Sequence, residues 1–239
     1  MAASLNSLHD QVADRLRNLI FAGELQPGSW VDEVQWCENW SISRTPLREA
    51  LKVLSAEGLV RHEPRRGCFV SEVTEQDRDD IFPVIAMLES RCAHEAASHA
   101  NQSDIQAMAL LHDQLQVQAK AGQIQDYDAT NHLIHDAIIA MAGNKWLATV
   151  IGDLRKILKL AGLQKINVPG RLTQSLKEHM AIFAAIQARD PQAAGHAMHV
   201  HLSRQHRALH SMRQTQNANL PLGRAAVLNR TLSAKTLAL

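Results

Sequence analysis

The chain has 239 residues, enough for two modest domains with a sizeable core. Its formal net charge is +1, and it is 46% hydrophobic but only 4% aromatic, which suits a helix-bundle core of Leu, Ile, Ala and Met. No apolar run approaches the roughly 18 residues of a membrane span, the N-terminus has no secretory apolar segment, and Cys37, Cys68 and Cys92 lack C-x-x-C spacing; membrane, secreted and disulfide-framed classes are set aside and a cytoplasmic protein with reduced thiols is expected.

Residues 5–22 predict a first helix with Leu8, Val12, Leu16, Leu19 and Ile20 as its buried stripe. Gly23 and the Pro27-Gly28 pair end it. A second helix is predicted over about 32–38, with Asp32 as its N-cap. The stretch from Ser43 to Val60, SRTPLREALKVLSAEGLV, predicts a third. Thr45 fits an N-cap and Pro46 the first turn, where a missing N–H costs nothing. Leu47, Ala50, Leu51, Leu54 and Leu59 form the apolar stripe, and Gly58 fits a left-handed cap. Arg44, Arg48 and Lys52 occupy the other face. An ordinary amphipathic surface helix would show the same pattern; the segment after Val60 separates the two. RHEPRRGCFVSEV reads as a β-hairpin with Arg65 and Arg66 near its tip and Gly67 closing the turn. Between Arg44 and Arg66 stand six Lys/Arg against three Glu, a local positive excess on the two elements that would approach a phosphate backbone. A first domain is expected over 5–72, then a linker near 71–75.

From Thr74 the pattern is helical to about residue 213. Ile81, Ile85, Leu88, Cys92 and Ala96 line the first helix of this region. Ser103-x-x-Gln106 reads as a capping box for the next, which carries Leu110, Leu111 and Leu115. A third runs from Ile124 to Met141 and stops at Gly143. A fourth starts near Asn144 and holds Leu147, Ile151, Leu154 and Leu158. Val168-Pro169-Gly170 breaks the chain before a fifth, Leu172 to Arg189. Asp190-Pro191 opens a sixth, to about Met212. The predicted fold is mainly α: three helices and a hairpin wing, then an all-α six-helix bundle over 75–213. Residues 214–239 form a tail of no predicted structure.

Thirteen histidines make any single one weak evidence. Their helical positions say more. Asn131, His135, Ile138 and Ala142 share a stripe; so do His179, Phe183 and Ile186; so do Ala194, Met198 and His201. Three helices thus each turn an imidazole inward, where an unpaired polar group is costly. Either each ring bonds separately to a carbonyl or a helix neighbour, or one metal ion satisfies all three. His132, His196, His199, His206 and His210 fall off these stripes and read as surface residues. Glu178 is expected to leave the site by another face of its helix.

GELQPGSWVDE, SRTPLREALKVLSAEGLV and PRRG together resemble the winged helix-turn-helix of the GntR family of bacterial transcription regulators, over about residues 8–71. The resemblance implies double-stranded DNA as partner, with an inverted-repeat operator and a homodimer. It places DNA contacts at Ser43, Arg44, Thr45 and Arg48, and at Gly67 with its wing neighbours. Many members carry a DNA-contacting arginine on the second helix; here that position is Val34. Trp36 and Trp40 stand where smaller aliphatics are common. NHLIHDAIIAMAGN, KEHMAIFAAIQARDPQAA and HVHL are similar to the ligand-binding domain of the FadR type, the FCD domain, over about 75–210. That likeness implies a divalent metal, zinc or nickel first, held by Asn131, His135, His179 and His201, and a small organic acid bound beside it. An arginine that helps hold the acid is replaced by Ile85; Arg155 or Arg171 is the substitute, although either also reads as a solvated surface residue. The function implied is an effector-responsive regulator, more commonly a repressor. A metal-dependent hydrolase is the other class, disfavoured by the lack of a His-Glu-x-x-His segment. A purely structural metal with constitutive DNA binding is a third reading.

Overall fold

The computed structural model describes residues 7–161 and 170–218, with backbone alone for 212–218. Ser7 and Asp10 form a reciprocal capping box that starts α1 (Leu8–Ala22), and Gly23 at φ +78° ends it. Its buried side is Val12, Ala13, Leu16 and Ile20. Leu8 instead lies 53% exposed, because the core begins one turn further along, and Leu19 is only partly covered. Asp32 accepts from the Val34 and Gln35 N–H groups and opens α2 (Glu33–Trp40), two residues longer than its pattern predicts. That helix buries nothing fully. It is held by Trp36 and Trp40, ring centroids 4.8 Å apart, with the Arg15 guanidinium 4.5 Å from the Trp40 ring.

α3 (Arg44–Ala56) starts two residues before the expected point, with Ser43 as the N-cap residue. Thr45 and Pro46 sit inside the first turn. A proline is still free of cost there, because the first four N–H groups of a helix have no intrahelical acceptor. Glu57 is the C-cap. Gly58 comes next at φ +74°, with Gly58 N–H on the Ser55 carbonyl and Leu59 N–H on that of Leu54. This paired closure turns the chain into β1 (Val60–Glu63). β2 (Gly67–Val70) pairs with it antiparallel, Val60 opposite Val70 and Glu63 opposite Gly67, and Trp30 adds a single bridge to Phe69. Leu16, Leu47, Leu51, Leu54 and Leu59 are the largest sealed residues of this N-terminal head.

Six helices complete the described chain. α4 (Glu75–His99) is capped by Thr74 and Asp77. α5 (Gln102–Ala121) is capped by Asn101 and Asp104, not by Ser103 and Gln106; the same box is built two residues earlier from an Asn and an Asp. Its inner face is Ile105, Met108, His112 and Leu115, which leaves Leu110 in solvent at 71% exposure rather than in the core. α6 (Ile124–Met141) has its expected bounds, and Asn144 caps α7 (Lys145–Leu160). Val168 and Pro169 lie outside the described residues; Gly170, at φ +75°, precedes α8 (Arg171–Gln187). α9 (Pro191–Ala218) continues past Met212, so the first residues of the expected tail are helical; 219–239 lie outside the described residues. α4 is the central element, packed on α6, α7, α8 and α9. α7 also touches the head, where its last residue, Leu160, is buried in the head's core.

α4 and α9 approach closely at Gly195. Ser90 Oγ donates to the Gly195 carbonyl at 2.8 Å, and a Cβ on Gly195 would stand 3.1 Å from the Ser90 carbonyl oxygen. Gly195→Val is expected to cost about 1–3 kcal/mol through overpacking, read as a lower urea midpoint.

Candidate nucleic-acid interface and metal centre

The recognition surface is built by burying one side of α3. Leu47, Ala50, Leu51 and Leu54 are fully sealed, which forces Arg44, Arg48 and Lys52 outward. Arg48 donates through Nε to Glu33 Oε2 of α2 at 2.8 Å while staying 60% exposed. Lys52 pairs with Glu49 at 2.8 Å. Arg44 meets no carboxylate among the described residues. Ser43 makes no side-chain cap bond, so its hydroxyl is uncommitted to α3. At the wing, Glu63 gathers Arg61 and Arg66, and both guanidiniums lie about 5 Å from the Phe69 ring. Arg65 sits at the turn with φ +64° and is exposed. Gly67, at φ +103°, is pressed against Trp30; a Cβ there would stand 2.8 Å from Trp30 Nε1. Val34 is exposed on α2 and offers this surface no charge.

Inside the bundle, α6, α8 and α9 bring His135, His179 and His201 together. One ligand nitrogen from each lies within 4.8 Å of the others, and all three residues are buried. Two rings are steered by buried acids. His135 Nδ1 is 2.6 Å from Glu89 Oε2 of α4, and His201 Nδ1 is 2.8 Å from Glu178 Oε2 of α8. An Nδ1–H donated to a carboxylate leaves the Nε2 lone pair for another partner. His201 Nε2, both nitrogens of His179, and Asn131 Oδ1 are buried with no hydrogen-bond partner among the described residues. Orphaned atoms from two imidazoles and an amide, gathered beside a third imidazole, suit a divalent transition metal.

The electrostatics keep these lone pairs free. Burial holds the His179 ring well below the ordinary histidine range, with the neighbouring histidines pushing the same way. Burial brings His201 down to about 4 against its hydrogen bond to Glu178, so the ring is neutral at pH 7. Burial would raise the Glu89 carboxyl, but His135 and Arg155 hold it at about 2. Glu178 is likewise held at about 2 by bonds from His201, Gln174 and Arg171 in spite of its burial.

Neither arginine expected to hold an acid ligand is a solvated surface residue. Arg155 of α7 sets Nε and Nη2 on Glu89 Oε1 at 2.9 and 2.7 Å, with Nη1 on Asp136 at 2.8 Å. Arg171 is buried and donates Nη1 to Glu178 Oε2 at 2.8 Å, while its Nε and Nη2 have no partner among the described residues. Nor does Glu178 leave the site: it points inward and orients His201. His206 is half-buried, bonded to Asp79 at 2.8 Å and stacked on Phe82, because α9 lies along α4 at that level. His132, His196, His199 and His210 are exposed as expected. A cavity of about 470 Å³ opens beside the cluster, bordered by Asn131, His135, Arg155 and Ile85.

Three inward polar groups escape a reading of the sequence. Glu89 lies on the same face as Ile85, Cys92 and Ala96, and an acid on an apolar stripe is the signal that marks it. His112 lies between Met108 and Leu115, bonds the Met108 carbonyl at 2.7 Å and stacks on Phe183 at 4.5 Å. Asp128, one turn before Asn131, borders the same cavity with its carboxyl raised to about 6 by burial.

Residues 8–70 match the family of bacterial regulatory proteins called gntR, and residues 80–204 match the FCD domain. The HTH-type transcriptional repressor RspR of Escherichia coli strain K12 is 24% identical over 208 residues, 87% of this chain and 91% of that protein. The gluconate operon transcriptional repressor of Bacillus subtilis strain 168 is 24% identical over 185 residues, 75% of this chain and 76% of its own. Among solved structures, E. coli McbR/YncC superposes with a TM-score of 0.70 at 23% identity, over 87% of this chain and 99% of that one, which shows a shared fold. No described helix is long and apolar enough to cross a membrane. A winged helix with an outward basic face, joined to an FCD bundle, makes this chain a member of the GntR family of bacterial transcription regulators.

Proposed function

We propose that the protein is a homodimeric repressor whose bundle holds a divalent metal and senses a small organic acid. The observation that carries the sensing half is the convergence of unpartnered atoms from Asn131, His179 and His201 beside His135, with Glu89 and Glu178 fixing two of the rings. Zinc or nickel bound there would supply a fixed double positive charge to which a carboxylate binds. Asn131, His135, His179 and His201 would hold it; Arg171 through its unpartnered nitrogens, and Arg155 by giving up part of its contact with Glu89 and Asp136, would orient the acid. One relative is named for a gluconate operon, and gluconate is itself a carboxylate.

For the DNA half, Ser43, Arg44, Thr45 and Arg48 would enter the major groove from the start of α3. Arg44 and Arg48 read base edges there, and Arg65, Arg66 and Gly67 track the backbone in the wing. Arg48 leaves Glu33 to do so, and Glu33 holds it extended until then. Two heads on a dimer would meet the two halves of an inverted repeat. The acid acts through unequal affinity for DNA-competent and incompetent arrangements.

Arg48→Ala is expected to abolish operator-specific binding in fluorescence anisotropy at fixed salt; unchanged affinity would refute its role. Wild-type protein is expected to bind about one zinc or nickel ion per chain and His179→Ala almost none, by elemental analysis, with chelator lowering the melting temperature of the wild type alone. If a panel of organic acids adds nothing to the metal's stabilisation, the metal is structural only. In the chelated protein, His201 binds a proton only near pH 4 when folded but near 6.5 when unfolded, so the unfolded chain takes up more protons between these values. Its melting temperature should therefore be steady above pH 7 and fall as pH drops from about 6.5 towards 4. Glu89 and Glu178 extend the fall below about 4.5. A melting temperature that stays level down to pH 5 would contradict this.

A further inference from the structure

The cavity beside the histidines is walled on one side by the DNA-binding head. Arg17 and Phe21 of α1 line it together with Lys156 and Lys159 of α7, whereas Asn131, His135 and Arg155 line the end nearest the cluster. Phe82, Ile85, Leu158 and Leu202 add apolar lining, alongside the polar His132 and Gln205. The head and the bundle meet at the far end. Arg17 sets Nε and Nη2 on Glu57 at 2.9 and 3.0 Å, and Lys156 Nζ reaches the same carboxylate at 3.1 Å. Lys159 Nζ lies 4.4 Å from the Phe21 ring centroid and has no carboxylate partner among the described residues. The acids that balance this end, Glu57, Asp14 and Asp153, do not line the cavity, so its wall here presents cations alone. The near end also carries acids, Glu89, Asp128 and Asp136, beside Arg155; an anion there would be drawn by the metal of the reading above and not by an excess of basic side chains.

With that metal in place, one space would have an anion-holding group towards each end and apolar lining as well. A short acid at Arg155 would leave Lys156 and Lys159 facing apolar wall and water. Arg155 and Lys159 lie one turn apart on α7, about 6 Å along its axis. At 470 Å³ the cavity is larger than a compact acid needs and within the usual range for a drug-sized ligand.

We propose that the ligand of this cavity is an elongated dianion: one carboxylate at the Arg155 and histidine end, an apolar chain, and a second anionic group at Lys156, Lys159 and Arg17. This deepens the sensing reading above and rests on it. It makes the head part of the ligand site, because Arg17 belongs to α1. The ligand then binds more tightly when α1 abuts α7 than when the head has moved away, which is the difference in affinity that a regulator requires.

The test uses the full-length, metal-loaded protein and three probes: octanoate, suberate and 8-phosphonooctanoate, titrated by calorimetry at constant ionic strength. At least one dianion is expected to bind ten or more times as tightly as octanoate, and the better of the two identifies the second group as carboxylate or phosphate type. In Lys156→Gln/Lys159→Gln the preference should shrink below twofold while octanoate affinity stays. Lys159→Gln alone breaks no ion pair, so it reports on the preference even if the double variant folds poorly; it should lose part of the gap. Equal binding of octanoate and both dianions to the wild type, or a preference that survives removal of both lysines, overturns the dianion proposal and leaves the acid-sensing reading in place. No binding of any probe, with or without metal, overturns both.

Discussion

Two buried carboxylates hold the bundle's polar centre together. Glu89 takes His135 on one oxygen and Arg155 on the other; Glu178 takes His201 and Arg171 on one oxygen and Gln174 on the other. Each would be costly alone, since desolvating an unpaired carboxylate costs several kcal/mol, about as much as a whole domain's margin of stability. Paired as they are, they fix ring orientation on two helices at once. The five helices α4, α6, α7, α8 and α9 all contribute a member to this network, so its geometry is inherited from how the bundle packs.

The same logic recurs between the domains. Glu57, the last residue before the glycine turn of α3, is shared by Arg17 and Lys156. α7 is common to both hubs: Arg155 reaches Glu89, the next residue reaches Glu57, and Leu160 is sealed in the head's core. The Gly58 turn also passes within 4 Å of Ile157, measured from the Cβ it lacks. On the proposed reading, a shift of α7 driven from the cavity would reach the end of α3 without any intermediate element. That is a physical connection of packed and charge-paired groups, which gives an account of coupling a definite path to break.

Most of the helices are legible in the sequence because their apolar residues recur at helical spacing and their ends carry recognisable caps. The departures have local causes. Thr45-Pro46 is compatible with any place in a first turn, so Ser43 can take the cap instead. Ser103-x-x-Gln106 and Asn101-x-x-Asp104 offer the same chemistry two residues apart, and Asn and Ser cap about equally well, so the pattern alone does not choose between them. Leu110 looks internal only because Leu111 and Leu115 are its neighbours; the wheel that seats His112 turns Leu110 out. The three clustered histidines are visible as imidazoles on apolar stripes. Glu89 and Glu178 are harder to read, because an acid within a helix is usually solvated; Glu89 stands on an apolar stripe, but only the tertiary fold brings each acid to its ring. His206 escapes for the converse reason: its partner, Asp79, lies 127 positions away.

Charge accounting explains why a neutral Asn131 suits a sensor. Glu89 is paired with Arg155, which Asp136 shares, and Glu178 with Arg171 and, at 3.4 Å, Arg204; Asp128 stands one turn before Asn131. A carboxylate in place of Asn131 would neutralise half of a divalent ion from within the protein. With the amide, every ligand on the proposed reading is a neutral donor, so no group touching the metal would offset its double charge. In a low-dielectric interior such an excess is strongly unfavourable until an anion joins it. The protein then has reason to recruit the missing negative charge from outside, through the cavity that reaches Asn131, His135 and the head alike.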